Sequence, residues 1–225
     1  MPTRMTAVLL DLDGTLLHTA PDLIAAANAA LTEAGIAERP SRELTPRVSG
    51  GAAAMLGCAA DDIARTGQDF DTLMQRMLTL YEAGIACRSR FYAGMETVLD
   101  TLEQRGIPWG IVTNKHSRFT HPLLMALGID HRPACIISGD TTAERKPHPL
   151  PLLEACRQLQ TAPQTCVYVG DAKRDIEAGQ RAGMATLVAL YGYLADDDQP
   201  ECWGANGLLQ HPGDLIAWLD AEYLA

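Results

Sequence analysis

Basic charge is scarce in this sequence: 18 Lys and Arg stand against 28 Asp and Glu, a formal net charge of -10. A nucleic-acid binder carries a basic face, so this balance argues against that class. It leaves room for a small anionic substrate, because one metal ion and one lysine can reverse the field locally. Nor is there an apolar run near the ~20 residues of a membrane span. The N-terminus reaches the polar Asp11-Leu12-Asp13 too early for a secretory leader, so a cytoplasmic protein without membrane contact is expected. None of the six cysteines (Cys58, Cys87, Cys135, Cys156, Cys166, Cys202) forms a C-x-x-C pair, and no His spacing points to zinc. They read as buried, reduced thiols, in keeping with a reducing compartment. Internal repeats and low-complexity tracts are missing too, and the acidic run Asp196-Asp197-Asp198 reads as a solvated loop.

What is present is apolar material: 47% of 225 residues are hydrophobic, enough for one good core and a second small one. Short apolar runs at 6–10, 109–113, 134–138, 166–170 and 185–190 read as buried strands. Helical patterns at 95–104, 116–127, 149–159 and 174–182 separate them. This alternation predicts an α/β fold, a Rossmann-like three-layer core around a parallel sheet. From about residue 17 to 90 no strand is evident. Helices are expected at 21–34, with Thr19 as N-cap and Gly35 as stop, and at 40–58 and 70–87. The expected organisation is a core of residues 1–16 and 91–225 and a small all-helical cap, 17–90, inserted after the first strand.

The polar residues that matter sit where apolar runs end. Asp11-Leu12-Asp13-Gly14-Thr15 follows the first strand, and ligands of open parallel sheets bind beyond the carboxyl ends of strands. An ordinary Asp-Gly turn is the plainer alternative. Gly170-Asp171-Ala172-Lys173-Arg174-Asp175 ends another strand and opens a helix. Asp171 and Asp175 fit one helical face, although acids also simply cap helices there. Carboxylates gathered at strand ends repel without a cation, and their hard oxygens point to Mg²⁺. Thr113-Asn114 offers a hydroxyl and an amide to phosphate oxygens, or else a side-chain turn. Lys146 is a surface charge or, restrained by Pro147 and Pro149, a fixed cation.

In combination and in this order, Asp11-Leu12-Asp13-Gly14-Thr15, Thr113, Lys146-Pro147 and Gly170-Asp171 with Asp175 resemble the haloacid dehalogenase superfamily over nearly the whole chain. The resemblance implies a phosphoric monoester hydrolase with Asp11 as nucleophile and Asp13 as acid and base, helped by desolvation as the cap closes. It implies Mg²⁺ on Asp11, the Asp13 backbone carbonyl and Asp171, with Asp175 behind them. Lys146 and Thr113 would hold the phosphate oxygens. Thr19-Ala20-Pro21-Asp22 and Phe91-Tyr92-Ala93-Gly94-Met95 resemble phosphoglycolate phosphatase-like members. Tyr191-Gly192-Tyr193-Leu194, Trp203-Gly204-Ala205 and Ser49-Gly50-Gly51 resemble the branch acting on N-acetylmuramic acid 6-phosphate, with aromatic packing as the plainer account of the first two.

In the cap, Arg47 could pair with a substrate carboxylate, and Ser49, Gly50 and Gly51 could offer donors to the substrate, as could Asn114 and Lys115 in the core. The expected partner is a small phosphorylated metabolite, handled by a monomer or homodimer. A sugar phosphomutase remains a further alternative. A dehalogenase would not need the acids at positions 13 and 171, and a receiver-type signalling module would lack the insertion.

Overall fold

The structure, a computed structural model, describes residues 5–223. Its strands are β1 (Ala7–Leu10), β2 (Leu17–His18), β3 (Arg90–Phe91), β4 (Trp109–Val112), β5 (Cys135–Ile137), β6 (Cys166–Gly170), β7 (Ala185–Ala189) and β8 (Gly207–Leu209). Its helices are α1 (Ala20–Glu33), α2 (Ser41–Leu44), α3 (Gly51–Gly57), α4 (Ala60–Arg65), α5 (Phe70–Ala83), α6 (Met95–Gln104), α7 (Ser117–Ala126), α8 (Leu150–Leu159), α9 (Lys173–Ala182) and α10 (Asp214–Tyr223).

Six strands form one parallel sheet in the order β5-β4-β1-β6-β7-β8. β1 is central and buried at all four positions, which is why it reads as a continuous apolar run. Its side chains alternate between two apolar layers. Val8 and Leu10 join Leu99 of α6, Leu123 of α7 and Leu215 of α10. Ala7 and Leu9 join Leu152 of α8 and Ala178 of α9 on the other face. The three-layer α/β expectation is met. β8 and α10 extend it beyond the elements visible in the sequence.

The chain between β2 and β3 is helical, as expected, and has its own apolar cluster. Leu73, Met77 and Tyr81, one turn apart on α5, pack with Leu31 and Met55, and Phe119 and Tyr193 reach in from the sheet side. The two crossings are not strand-free, however. Leu17 pairs with Phe91 and His18 with Arg90 in a short antiparallel ribbon. Asp22 ties the return crossing down, accepting from the Arg88 and Ser89 amides at 2.9 and 2.8 Å and from the Ser89 hydroxyl at 2.6 Å. Thr19 makes no side-chain cap, because its hydroxyl is drawn to Asp13 instead.

The expected helix at 40–58 is broken. Thr45–Gly50 forms a 3₁₀ turn between α2 and α3. Pro46 lacks the amide a continuous helix needs, and Gly51 has φ 78°. The cysteines are all free, but only Cys135, Cys156 and Cys166 are buried, while Cys87 and Cys202 are exposed. Residues 196–198 lie in an exposed loop, as expected. Among the described residues no helix is long and apolar enough to cross a membrane.

Candidate active site

Three neighbouring strands deliver the polar residues to one place. β4, β1 and β6 end at Val112, Leu10 and Gly170, so Thr113, Asp11 and Asp171 each occupy the first position past a carboxyl end. Ladder bonds carry on into that position, from Asp11 N to Val169 O at 2.9 Å and from Thr113 N to Ile137 O at 2.9 Å. The parallel sheet thus places residues more than a hundred apart in sequence side by side.

Asp11, Asp171 and Asp175 each contribute a carboxylate oxygen to a buried group whose members all lie within 4.8 Å of one another. Lys146 Nζ sits 2.8 Å from both Asp11 Oδ1 and Asp175 Oδ1, with its side chain fully buried. It also donates to Val112 O at 3.0 Å and to the Tyr168 hydroxyl at 2.7 Å. Burial opposes the charge on Lys146, but Asp11 and Asp175 prevail and raise its pKa. Asp11 is itself pushed up by burial, with Lys146 pulling the other way. Asp171 is pushed up to about 8 by burial, then by Asp11 and Asp175, against donation from Tyr193 N and Ser49. With all three ionised, the carboxylates outnumber the two cations beside them, Lys146 and Arg174. Asp11 Oδ1 is near Lys146 but not aligned for a hydrogen bond, so it retains lone pairs for another partner. An all-oxygen, electron-rich, buried donor set of this kind suits a hard divalent cation.

Asp171 is wrapped closely by backbone. A Cβ on Gly14, which has φ 87°, would overlap its carboxylate, and one on Gly192 would overlap its Cβ. Tyr193 N donates to Asp171 Oδ2 at 2.8 Å and Ser49 Oγ, from the insertion, at 3.0 Å. The acid at position 175 serves two ends: besides Lys146, it accepts from Ala172 N at 3.0 Å, so helix capping and site assembly use the same carboxylate.

Asp13 points its carboxylate to Thr19 Oγ1 at 2.5 Å and to Lys115 Nζ at 3.0 Å. Lys115 in turn lies 4.7 Å from the centre of the Tyr81 ring. Burial opposes the Lys115 charge, and Asp13 more than restores it, raising its pKa.

Above these groups lies a cavity of about 670 Å³, bounded by Asp11, Asp13 and Thr113 below and by Ser49, Gly50 and Gly51 of the insertion above. Three expected residues take other places or other tasks. Arg47 is exposed and donates to the Glu43 carbonyl, away from the cavity wall, because the 3₁₀ turn directs Val48 and Ser49 inward instead. Asn114 lines the cavity, but its amide holds the Lys146 backbone in two bonds, Nδ2 to O at 3.0 Å and N to Oδ1 at 3.1 Å. Lys146 lies beneath Asp11 and does not line the cavity.

Residues that sequence reasoning passed over are Tyr168, which anchors Lys146, and Arg174 and Tyr81 on the cavity wall; Tyr193, singled out in the sequence only within an aromatic motif, anchors Asp171 through its backbone amide. A tyrosine alternating within the apolar strand 166–170 was the available signal for the first. The others depend on contacts between distant segments.

A family model described as haloacid dehalogenase-like hydrolase matches residues 8–189. The chain is 45% identical over 215 residues to the phosphoglycolate phosphatase of Xanthomonas campestris pv. campestris (strain 8004), covering 94% of this chain and 96% of that one. It is 40% identical over 217 residues to the N-acetylmuramic acid 6-phosphate phosphatase of Pseudomonas aeruginosa, covering 96% of each. The crystal structure of a predicted phosphoglycolate phosphatase from Haemophilus somnus 129pt matches with a TM-score of 0.85 at 26% identity, covering 95% of this chain and 97% of that one.

Proposed function

The chain belongs to the haloacid dehalogenase-like hydrolase family, and from that premise we propose that it is a Mg²⁺-dependent phosphatase of a small phosphomonoester, working through an aspartyl phosphate on Asp11. The observation that carries this reading is the placement of Asp11: past the end of the central strand, on the cavity floor, within a carboxylate cluster and in contact with a buried lysine. Asp11, Asp171 and the Asp13 backbone carbonyl are the proposed Mg²⁺ ligands, with Asp175 behind them. Bound there, the ion supplies the positive charge that lets a carboxylate approach a phosphate.

Asp11 attacks phosphorus as the ester P–O bond breaks, and Asp13 delivers a proton to the departing oxygen. Asp13 then accepts a proton from the water that cleaves the acyl phosphate, which frees phosphate and restores Asp11. Lys146 is assigned a different task from the one its motif implies. From below, it fixes the Asp11 carboxylate against Asp175 and Tyr168. The Thr113 hydroxyl, which accepts from Lys115 N at 3.1 Å, still has its own proton for a phosphate oxygen.

Phosphoglycolate is one substrate to consider, by kinship with the Xanthomonas protein. The cavity favours a second. A volume of about 670 Å³, with Leu23, Val48, Met74, Leu78 and Phe119 in its lining, is large and apolar for a two-carbon acid and suits a sugar-sized ligand such as N-acetylmuramic acid 6-phosphate. The deciding experiment is phosphate release from phosphoglycolate, N-acetylmuramic acid 6-phosphate and hexose phosphates with Mg²⁺. Many turnovers on one of them support the phosphatase reading, and the preferred ester fixes the substrate. No turnover on any phosphomonoester would reject it.

A further inference from the structure

Arg174 lies between the two acids of the 170–175 motif and has no part in the roles assigned so far. It occupies the second position of α9, where an arginine is ordinarily a solvated surface charge or a partner for nearby acids. The structure gives it neither place. Its side chain is half-buried against the insertion, and its Nη2 donates to the Ser49 carbonyl at 2.5 Å. Nε is buried and has no hydrogen-bond partner among the described residues. Asp175, Asp11 and Asp171 all bear on its charge and hold it protonated against burial, yet among the described residues none forms an ion pair with it. It lines the same cavity as Asp11 and Ser49.

The other cations near Asp11 are engaged with protein. Lys146 is bound by two carboxylates, a carbonyl and a phenol beneath the floor. Lys115 is bound to Asp13. Of the five N–H groups on the Arg174 guanidinium, only one reaches a protein acceptor among the described residues. The rest belong to a planar fork suited to two oxygens of one anion.

We propose that Arg174 is a further phosphate-binding residue of this site, braced through one nitrogen on the Ser49 carbonyl of the insertion and donating through the others to the phosphate that Asp11 attacks. The proposal rests on the phosphatase reading above and adds to it a cation that the insertion holds in place. Because Ser49 also donates to Asp171, the same residue steadies a carboxylate and an arginine at the phosphate end of the cavity.

The test is titration calorimetry of inorganic phosphate into the Mg²⁺-loaded protein, with Mg²⁺ binding measured separately in phosphate-free buffer. Arg174→Gln is expected to weaken phosphate binding at least tenfold, as loss of a charge-assisted bond implies. Its Mg²⁺ affinity should be unchanged or stronger, since a nearby positive charge has been removed. Arg174→Lys should lose at least threefold, because one ammonium cannot reproduce the fork that spans Ser49 and the anion. Phosphate affinity within twofold of the parent in either folded variant, or a drop in Mg²⁺ affinity that matches the drop in phosphate affinity, would overturn the assignment. Should Arg174→Gln not fold, the lysine variant decides alone. A parent protein that neither binds phosphate with Mg²⁺ nor releases it from any ester would instead overturn the phosphatase reading, and this proposal with it.

Discussion

The sheet and the helical insertion solve opposite problems. Under the sheet's carboxyl edge, Asp11, Lys146, Asp175 and Tyr168 contact one another in a buried, mutually dependent group. The insertion contributes scattered groups to the same cavity: one hydroxyl from Ser49, two glycines, and apolar side chains from α5. One region is built so that no member can be spared; in the other, apart from Ser49, which holds Asp171 and Arg174, members can be exchanged. Variants on the sheet side should therefore remove catalysis or folding, and variants on the insertion should shift affinity and choice of substrate.

The sharpest way to break this contrast is Asp11→Asn. It should lower phosphate release by at least about 10³-fold, since the nucleophile is gone. Parental turnover in a correctly folded preparation would refute the mechanism. Next in size, Lys146→Met leaves Asp11 and Asp175 buried without their cation. A loss of about 3–5 kcal/mol is expected in urea unfolding, and a change below about 1 kcal/mol would mean that the group is not interdependent.

A third effect is set by pH. The carboxyl of Asp171 is held at about 8 in the folded chain, above its ordinary value of 3.8. Between those values the folded state keeps a proton that the unfolded state has released, so rising pH lowers the stability of the metal-free protein. Metal binding must displace that proton. The rise in melting temperature on adding Mg²⁺ should therefore be larger at about pH 8.5 than at about pH 6, and equal increments would contradict the assignment of Asp171 as a ligand. The smallest effect is expected on the insertion's outer surface. Arg47→Ala should leave turnover and KM within about twofold, because its side chain faces solvent. A large rise in KM would restore the substrate-pairing role that its sequence neighbours imply.

The same contrast governs what could be read from the chain. Strands buried on both faces leave continuous apolar runs, so five of the six strands of the main sheet are legible, and the acids that follow 10 and 170 inherit their position from the strand ends. Gly207–Leu209 has Leu208 exposed and only Leu209 buried, so it leaves no such run, and Leu17–His18 with Arg90–Phe91 becomes a ribbon only through pairing across the whole insertion. In the insertion, periodicity locates α1 and α5 but cannot show where residues 40–58 give up helical hydrogen bonds, and that break decides that Ser49 faces the cavity while Arg47 does not. Asn114 was legible as a polar residue past a strand, but its partner, the backbone of Lys146 across a crossover, was not.

The ribbon at the base of the insertion has a further meaning. Leu17 and Phe91 are paired neighbours, and Asp22 clasps Ser89 just beyond them. Seen from the sheet, everything between these residues amounts to one long hairpin loop with its ends already stitched together. Closing such a loop costs only about 0.6 kcal/mol more for each doubling of its length. Away from Ser49, the insertion can thus be lengthened or trimmed with little strain on the chemistry beneath it, and rewriting that part of the loop can admit new substrates while the carboxyl edge stays the same.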